Sequence, residues 1–328
     1  MAIPGRVRSE SAGDFAGPAG RRAGCARMSR VLVTGAGSFT ARHLLPLLAR
    51  QPDVTMNLTD RSNAAGPGIV PLDLTDRAAV LETVRDVRPD VVYHFAGVPA
   101  TDAERCYAVN FDGTRHLLDA CAATGGKVRV LLVSSAAVYG LTRPEESPVR
   151  ENAPLRPVSA YGVSKAAAEL AALALHRRGL LRVRIVRPFN LIGPGLPPGF
   201  APSDFMAGAL ALRASGGTRE IAVGALEPRR DFVDVRDAVR AYLDLANLQG
   251  EWGDIFNVAS GRPVRIGDLF EAVMQACGVN ARAVEDPDRR RVEVVEQVGD
   301  ASALRAATGW RPGIGLEESV RDMVAGCA

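Results

Sequence analysis

No two cysteines stand at C-x-x-C spacing anywhere in the 328 residues; Cys25, Cys106, Cys121, Cys277 and Cys327 are odd in number and scattered. That argues against a metal site or a disulfide framework and fits a reducing compartment, the cytoplasm. No apolar run reaches the roughly 20 residues that a transmembrane helix requires, so no membrane partner is expected. Net charge is also scarce: 40 basic against 37 acidic residues leave +3, which gives no footprint for nucleic acid. Lysine is almost missing, with Lys127 and Lys165 its only instances, and aromatic residues make up 5% of the chain. The arginine, alanine, glycine and proline bias resembles a GC-rich bacterial coding sequence and says nothing about chemistry. What is plentiful is aliphatic: 47% hydrophobic against 23% charged residues is a globular composition, sufficient for one large or two intimately packed domains.

Residues 1–28 are rich in Gly, Ala, Arg and Ser without periodicity and read as a disordered arm. They lack the apolar stretch of a secretory signal, and Met28, directly before the first strand, offers an alternative start. Beyond it, β-type apolar runs at Val31–Thr34, Val54–Leu58, Val91–Phe95, Val128–Val133 and Val183–Val186 alternate with helical periodicity at Arg42–Ala49, Ala78–Val87, Asp112–Ala123 and Ser164–Leu175. Near-continuous apolar strands alternating with helices predict an α/β fold, a doubly wound, Rossmann-like parallel sheet covered on both faces. After Arg187 the rhythm breaks into the Pro/Gly-rich stretch 193–202. The expected division is therefore a dinucleotide-binding domain at 29–190, rejoined by a strand near 254–260, and a smaller C-terminal lobe, mainly 191–328. Ligands of such a sheet bind in the crevice at the carboxyl ends of its strands.

The first strand runs into Gly35-Ala36-Gly37-Ser38-Phe39-Thr40 and then a helix, the setting in which a glycine turn cradles a pyrophosphate at a helix N-terminus. Asp60 ends the second strand, where a carboxylate accepts hydrogen bonds from an adenosine ribose and repels a 2′-phosphate, favouring NAD. Arg61 beside it keeps NADP open. Asp73-Leu74 is a candidate adenine contact, although an aspartate before a helix is as readily an N-cap.

Tyr161 and Lys165 open a helix at i and i+4 and so share a face. A phenol titrates near 10 and is a poor base at neutral pH. An ammonium about 5 Å away is worth roughly 3 kcal/mol at an effective dielectric near 20, enough to lower that pKa by about two. Ser134-Ser135 closes the apolar strand 128–133 at its carboxyl end, placing a hydroxyl for the substrate oxygen that Tyr161 would protonate or deprotonate.

These segments, with His94-Phe95-Ala96-Gly97, Asn110-Phe-Asp-Gly113-Thr114 and Ser134-Ser-Ala-Ala-Val-Tyr-Gly140, resemble the extended short-chain dehydrogenase/reductases. More narrowly they resemble the nucleotide-sugar epimerase/dehydratase branch, from about residue 30 to the C-terminus. The stretch from Arg187 through Tyr242 looks most like the GDP-4-keto-6-deoxymannose reductases. The resemblance implies Tyr161 as general acid/base, Lys165 as the group orienting the nicotinamide ribose, and Ser135 as the holder of the reacting sugar oxygen. It implies Gly35, Gly37, Ser38, Phe39, Thr40, Asp60, Arg61, Asp73, Leu74, Phe95, Ala96, Gly97 and Pro188 along the cofactor. It places Ala136, Asn190, Arg230 and Arg290 against a nucleotide-diphosphate sugar. It also implies a homodimer built on the helices at 112–123 and 164–175.

Departures from the family pattern carry information too. Ser38 and Ala41 stand where the usual turn has glycines, and the Cβ of Ser38 is expected to point toward the pyrophosphate path. The segment from Gly97 to Asn110 is shorter than in typical 4-epimerases. The 4,6-dehydratases carry acidic residues after the Ser/Thr; Ala136 and Ala137 cannot move those protons, which disfavours dehydration. The expected activity is hydride transfer between NAD(P) and a sugar carbon, C4 by analogy. Reduction of a 4-keto-6-deoxy sugar is preferred, 4-epimerisation is the close alternative, and a non-catalytic dinucleotide sensor is the distant third.

Overall fold

The computed structural model describes residues 29–62, 66–99, 102–125, 128–215, 219–289 and 294–326. The expected N-terminal arm, 1–28, and Arg290 lie outside the described residues.

In the first half of the chain β1 (Ser29–Thr34), α1 (Phe39–Ala49), β2 (Val54–Asp60), β3 (Ile69–Pro71), α2 (Arg77–Val87), β4 (Val91–His94), α3 (Ala103–Cys106), α4 (Thr114–Ala122), β5 (Arg129–Val133), α5 (Ala160–Arg177) and β6 (Arg182–Pro188) follow one another. The second half supplies β7 (Asn190–Ile192), α6 (Ala201–Ser215), β8 (Glu220–Val223), β9 (Arg229–Asp234), α7 (Val235–Asn247) and β10 (Ile255–Val258). It continues with β11 (Pro263–Arg265), α8 (Ile266–Cys277), β12 (Arg282–Glu285), β13 (Glu296–Gln297), α9 (Ser302–Thr308) and α10 (Leu316–Ala325).

Seven strands form one sheet in the order β3-β2-β1-β4-β5-β6-β10, every neighbouring pair parallel. Strand residues alternate between two cores. Val31, Val33, Tyr93, Leu131, Val133 and Val186 face α1 and α7, while Leu32, Val92, Val130, Leu132 and Ile185 face α2, α4 and α5. Burial on both sides is why these strands read as unbroken apolar runs rather than as alternating ones. Successive strands add outward on opposite sides of β1, so the topological switch, and with it the crevice, lies between β1 and β4.

A second, smaller assembly packs around its own core of Ile192, Phe205, Val223, Phe232, Leu269, Phe270 and Met323. Its strands β11, β9, β13 and β7 form one small sheet and β12 pairs with β8. Phe39 packs against this core and against the α1 face of the large sheet.

Three features depart from the sequence reading. β3 is an unexpected edge strand of three residues, and Pro71 is tolerated there because an edge strand leaves one side of its ladder unused. The helix expected at 112–123 begins at Ala103 and passes through a π-helical stretch, Tyr107–Gly113, before becoming α4. Finally, α7 belongs by sequence to the 191–328 segment yet packs beside α1 on the large sheet, burying Ala238, Val239, Tyr242 and Leu245 in that core, with Leu304 of α9 beside them. The boundary drawn at residue 190 is crossed by more than the returning strand.

Candidate active site

The turn after β1 is shaped by close approach. Gly35 has φ +71°, and a Cβ there would lie 2.6 Å from the backbone nitrogen of Ala96, so only glycine lets the turn lie flat on Phe95-Ala96-Gly97 after β4. The Ala36 amide donates to the Thr59 carbonyl (3.0 Å) and the Gly37 amide to Asp60 Oδ2 (3.0 Å), which anchors the turn to the end of β2. Asp60 is thus partly committed to the turn itself, and Arg61 beyond it is exposed. Ser38 has a structural role in the same turn. It is the N-cap of α1, its hydroxyl accepting from the Ala41 amide at 3.2 Å. The amides of Phe39 and Thr40 precede Ala41 in the same first turn, at the positive end of the helix.

Asp73 is exposed and closes a local turn, accepting from the Thr75 amide (2.9 Å) and hydroxyl (2.7 Å); the N-cap of α2 is Asp76. Leu74 is buried, and its carbonyl pairs with the His116 ring at 2.9 Å.

At the carboxyl end of β5 the reactive group assembles. Ser135 caps a short turn through the Ala137 amide (3.1 Å), and its hydroxyl is near enough to Tyr161 to act on the phenol's pKa. Ser159 caps α5 through the Gly162 amide (3.1 Å), so Tyr161 and Lys165 sit in its first turns. Lys165 is buried and donates from Nζ to the Val133 carbonyl at 3.0 Å. A Cβ on Gly97 would lie 3.0 Å from Asn110 Oδ1 and 3.1 Å from Lys165 Nζ, so the bare backbone there leaves a narrow cradle beside the ammonium.

The electrostatics correct the sequence reading of Tyr161. Burial pushes the phenol above its ordinary value of 10.0, and the nearby Ser135 hydroxyl only partly opposes it. Burial likewise pushes Lys165 down to about 8, against the pull of Glu169. Removing both groups from water outweighs the attraction that a solvated estimate assigns to the pair. In this arrangement the phenol holds its proton at neutral pH.

Several residues that spacing did not single out hold the group in place. Asn110, buried in the π-helical stretch, accepts from the Val98 amide (2.7 Å) and donates to the Val98 carbonyl (3.0 Å) and to Ser164 Oγ (3.1 Å). Ser164 in turn donates to the Tyr161 carbonyl at 2.8 Å. The only sequence signal for Asn110 was a place in the Asn110-x-x-Gly113 motif; the π turn that aims its side chain has no signature in apolar spacing. One turn beyond Lys165, buried Glu169 pairs with Arg187 at 2.6 Å, and Arg187 also donates to the Tyr139 hydroxyl (3.0 Å). Pro188 ends β6, buried against β10.

The substrate-side residues are more dispersed. Ala136 is buried beside Ser135, and its carbonyl accepts from Gln297 Nε2 at 3.2 Å. Asn190, exposed on β7, donates to the Asp231 carbonyl at 2.9 Å, and half-buried Arg230 follows on β9. Asp231 ties this end together by accepting from the amides of Ser260 (2.8 Å), Gly261 (2.8 Å) and Gly299 (3.2 Å). Arg290 lies outside the described residues. Among the described residues no cluster of His, Cys, Asp and Glu could hold a metal ion, and no helix is long and apolar enough to cross a membrane.

A doubly wound sheet with a glycine turn on its first strand and Ser, Tyr and Lys at the carboxyl edge defines a dinucleotide-dependent α/β enzyme. Residues 31–259 match the NAD dependent epimerase/dehydratase family, and the chain belongs to it. It is 33% identical to the GDP-6-deoxy-D-mannose reductase of Pseudomonas aeruginosa over 304 residues, 90% of this chain and 96% of that one. Among solved structures it is similar to RMD from Pseudomonas aeruginosa complexed with NADPH, with 31% identity, TM-score 0.79, and 92% and 98% of the two chains covered. It is also similar to the UDP-glucose 4-epimerase of Thermus thermophilus complexed with NAD, with 29% identity, TM-score 0.78, and 90% and 98% covered.

One buried group beneath the site has a measurable signature. His94 ends β4 with both ring nitrogens engaged, Nδ1 with Thr34 Oγ1 (2.6 Å) and Nε2 with Thr114 Oγ1 (2.8 Å). Thr114 spends its proton on the Asn110 carbonyl (2.7 Å), so Nε2 donates to Thr114 and Nδ1 accepts from Thr34: the ring is neutral. Burial and the charge of Lys165 push its pKa from 6.5 down to about 3. Between those values the unfolded chain binds a proton that the folded chain refuses, so stability falls as pH falls through that window. The expected contribution is about 1 kcal/mol per pH unit in chemical-denaturation curves, absent in His94→Gln. An unchanged slope in the variant would mean that the folded ring is charged.

Proposed function

We propose that this chain is an NAD(P)-dependent nucleotide-sugar oxidoreductase that reduces the C4 ketone of a 4-keto-6-deoxy sugar carried on a nucleoside diphosphate. The observation that carries the reading is the grouping of half-buried Ser135 and Tyr161 with buried Lys165 at the carboxyl edge, the Lys165 ammonium held on the Val133 carbonyl at 3.0 Å. That group serves reduction and 4-epimerisation alike, so the choice of reduction rests on the relatives. The likeness to a GDP-6-deoxy-D-mannose reductase supports the same choice.

When bound, the nicotinamide supplies the hydride. The chain's own residues do the rest. The turn Gly35–Thr40, with the positive end of α1, would hold the pyrophosphate. Asp60 and Arg61 would meet the adenosine ribose, Asp73 and Leu74 the adenine, and Phe95, Ala96, Gly97 and Pro188 the floor of the crevice. NAD is the cofactor favoured by Asp60, with NADP accepted through Arg61. Lys165, with ammonium donors beyond the one spent on Val133, would orient the nicotinamide ribose. Ser135 would hold the sugar C4 oxygen while Tyr161 donates its proton to that oxygen. The domain at 29–190 with the strand near 254–260 would carry the dinucleotide. The 191–328 lobe would carry the nucleotide sugar through Asn190, Arg230 and Arg290, since guanidinium–phosphate pairing is bidentate and directional.

A reductase consumes NAD(P)H in proportion to the nucleotide sugar added, read at the reduced-nicotinamide absorbance band. Tyr161→Phe is expected to lower turnover about 10²–10⁴-fold while binding of the dinucleotide persists. Interconversion of C4 epimers without net loss of NAD(P)H would replace the reductase reading with 4-epimerisation; no turnover with cofactor binding intact would leave a dinucleotide sensor.

The cytoplasm is the proposed compartment and a second copy of the chain the proposed partner. Val163 and Leu170 on α5 are 38% and 60% exposed, and Tyr107 on the adjoining helical segment is 40% exposed; with Ala167, Ala171 and Ala174 they make the outer face of α5 apolar. Sedimentation is expected to show a dimer that Leu170→Glu dissociates; a wild-type monomer would contradict it.

A further inference from the structure

Tyr242 poses a problem that the catalytic group does not solve. It lies on α7 with 0% of its surface exposed, and its hydroxyl has no hydrogen-bond partner among the described residues. A phenylalanine would fill the same space without leaving a buried hydroxyl unsatisfied, and such a group carries its full desolvation cost.

The direction of that hydroxyl follows from how α7 is mounted. The last carbonyls of α7 lie at the amino edge of the large sheet, where Arg184 donates to Leu245 (2.6 Å) and Leu248 (2.8 Å) and Arg129 to Ala246 (3.4 Å). Its N-terminus therefore faces the carboxyl edge. Helical side chains lean toward the N-terminus of their helix, so the Tyr242 phenol points up between α7 and the sheet toward that edge. Its ring packs 6.0 Å from that of Phe95, the residue against whose backbone the Gly35 turn rests. Tyr161 lies within electrostatic reach: once ionised, it adds to the burial that pushes the Tyr242 phenol upward. A second orphaned hydroxyl, Ser134 Oγ, sits at the same edge, next to Ser135.

We infer that the Tyr242 hydroxyl is a ligand for the nicotinamide end of the dinucleotide, donating its hydrogen bond to the ring's carboxamide oxygen. The inference rests on the proposed function for the presence of a dinucleotide but assigns a contact of its own. The chemistry selects that acceptor. Tyr161, Ser135 and Lys165 are already engaged with the sugar oxygen and the ribose, whereas the carboxamide is the polar group that a nicotinamide adds to ADP-ribose. A donor fixed from the α7 side holds the ring in one rotation about its glycosidic bond and so decides which face meets the sugar.

The test is Tyr242→Phe in the full chain, with two probes titrated by protein fluorescence: the reduced dinucleotide that wild type binds more tightly, and the matching ADP-ribose, which lacks the nicotinamide. The cofactor-free melting temperature is expected to stay level or rise, because the unsatisfied group is gone. Affinity for the reduced dinucleotide is expected to fall about fivefold to tenfold while that for ADP-ribose is unchanged. Equal weakening of both probes, or unchanged affinity for both, would overturn the inference. So would a lower cofactor-free melting temperature with both affinities intact, since the hydroxyl would then be satisfied within the protein or by water. Failure of wild type to bind either probe would instead strike the proposed function.

Discussion

The partial withdrawal of Tyr161 and the burial of Lys165 govern the chemistry of this chain. The two groups lie at the start of α5, pressed against the carboxyl end of β5, and each is shifted by burial toward its neutral form. Solvent would screen any interaction between them and leave the phenol near its ordinary value; burial makes the proton costly to remove until a charge arrives to compensate. A dinucleotide with a positive ring brings such a charge, and a ketone being reduced develops negative charge on its oxygen. The same site is thus acidic or basic according to what occupies it. Ser135, beside Tyr161, is a neutral hydroxyl that does not change charge between the two states.

A web of hydrogen bonds and one buried ion pair surrounds the two groups. Asn110 clamps both backbone groups of Val98 and reaches Ser164, and His94 ties β1, β4 and the start of α4 together as a neutral ring. On the other side of Lys165 the buried Glu169–Arg187 pair locks α5 to β6, and Asn257 of β10 accepts from the Tyr139 hydroxyl at 2.6 Å. Breaking one half of a buried ion pair leaves an uncompensated charge, so such contacts favour a single arrangement even where their net stabilisation is small. The reactive hydroxyls are positioned by elements from both sides of the sheet's switch point.

Most of the fold was legible because its strands are buried on both faces, which turns each into an apolar run that no surface strand would show. The glycine turn and the Tyr161/Lys165 spacing were legible because close backbone approach and a shared helical face each demand particular residues at fixed intervals. What stayed hidden has physical reasons too. The π-helical stretch at Tyr107–Gly113 has no apolar period of its own, so Asn110 could be seen only as part of a motif. The docking of α7 onto the large sheet is a tertiary event between distant segments; its amphipathic pattern says that it packs and not on what. The N-cap role of Ser38 was not read because the motif drew attention to the missing glycine and not to the helix that starts beside it. The direction of the Tyr161 shift was misjudged for the simplest reason: sequence shows which charges are near one another but not how little water is left between them.

The central claim is that burial, before any cofactor binds, sets the phenol of Tyr161 above its ordinary pKa. Ultraviolet difference titration of tyrosinate, wild type minus Tyr161→Phe, tests it directly. The account predicts no Tyr161 ionisation in the cofactor-free protein until the pH passes 10, with the transition moving downward when oxidised dinucleotide is added. A Tyr161 tyrosinate signal near neutral pH in the cofactor-free protein would contradict it.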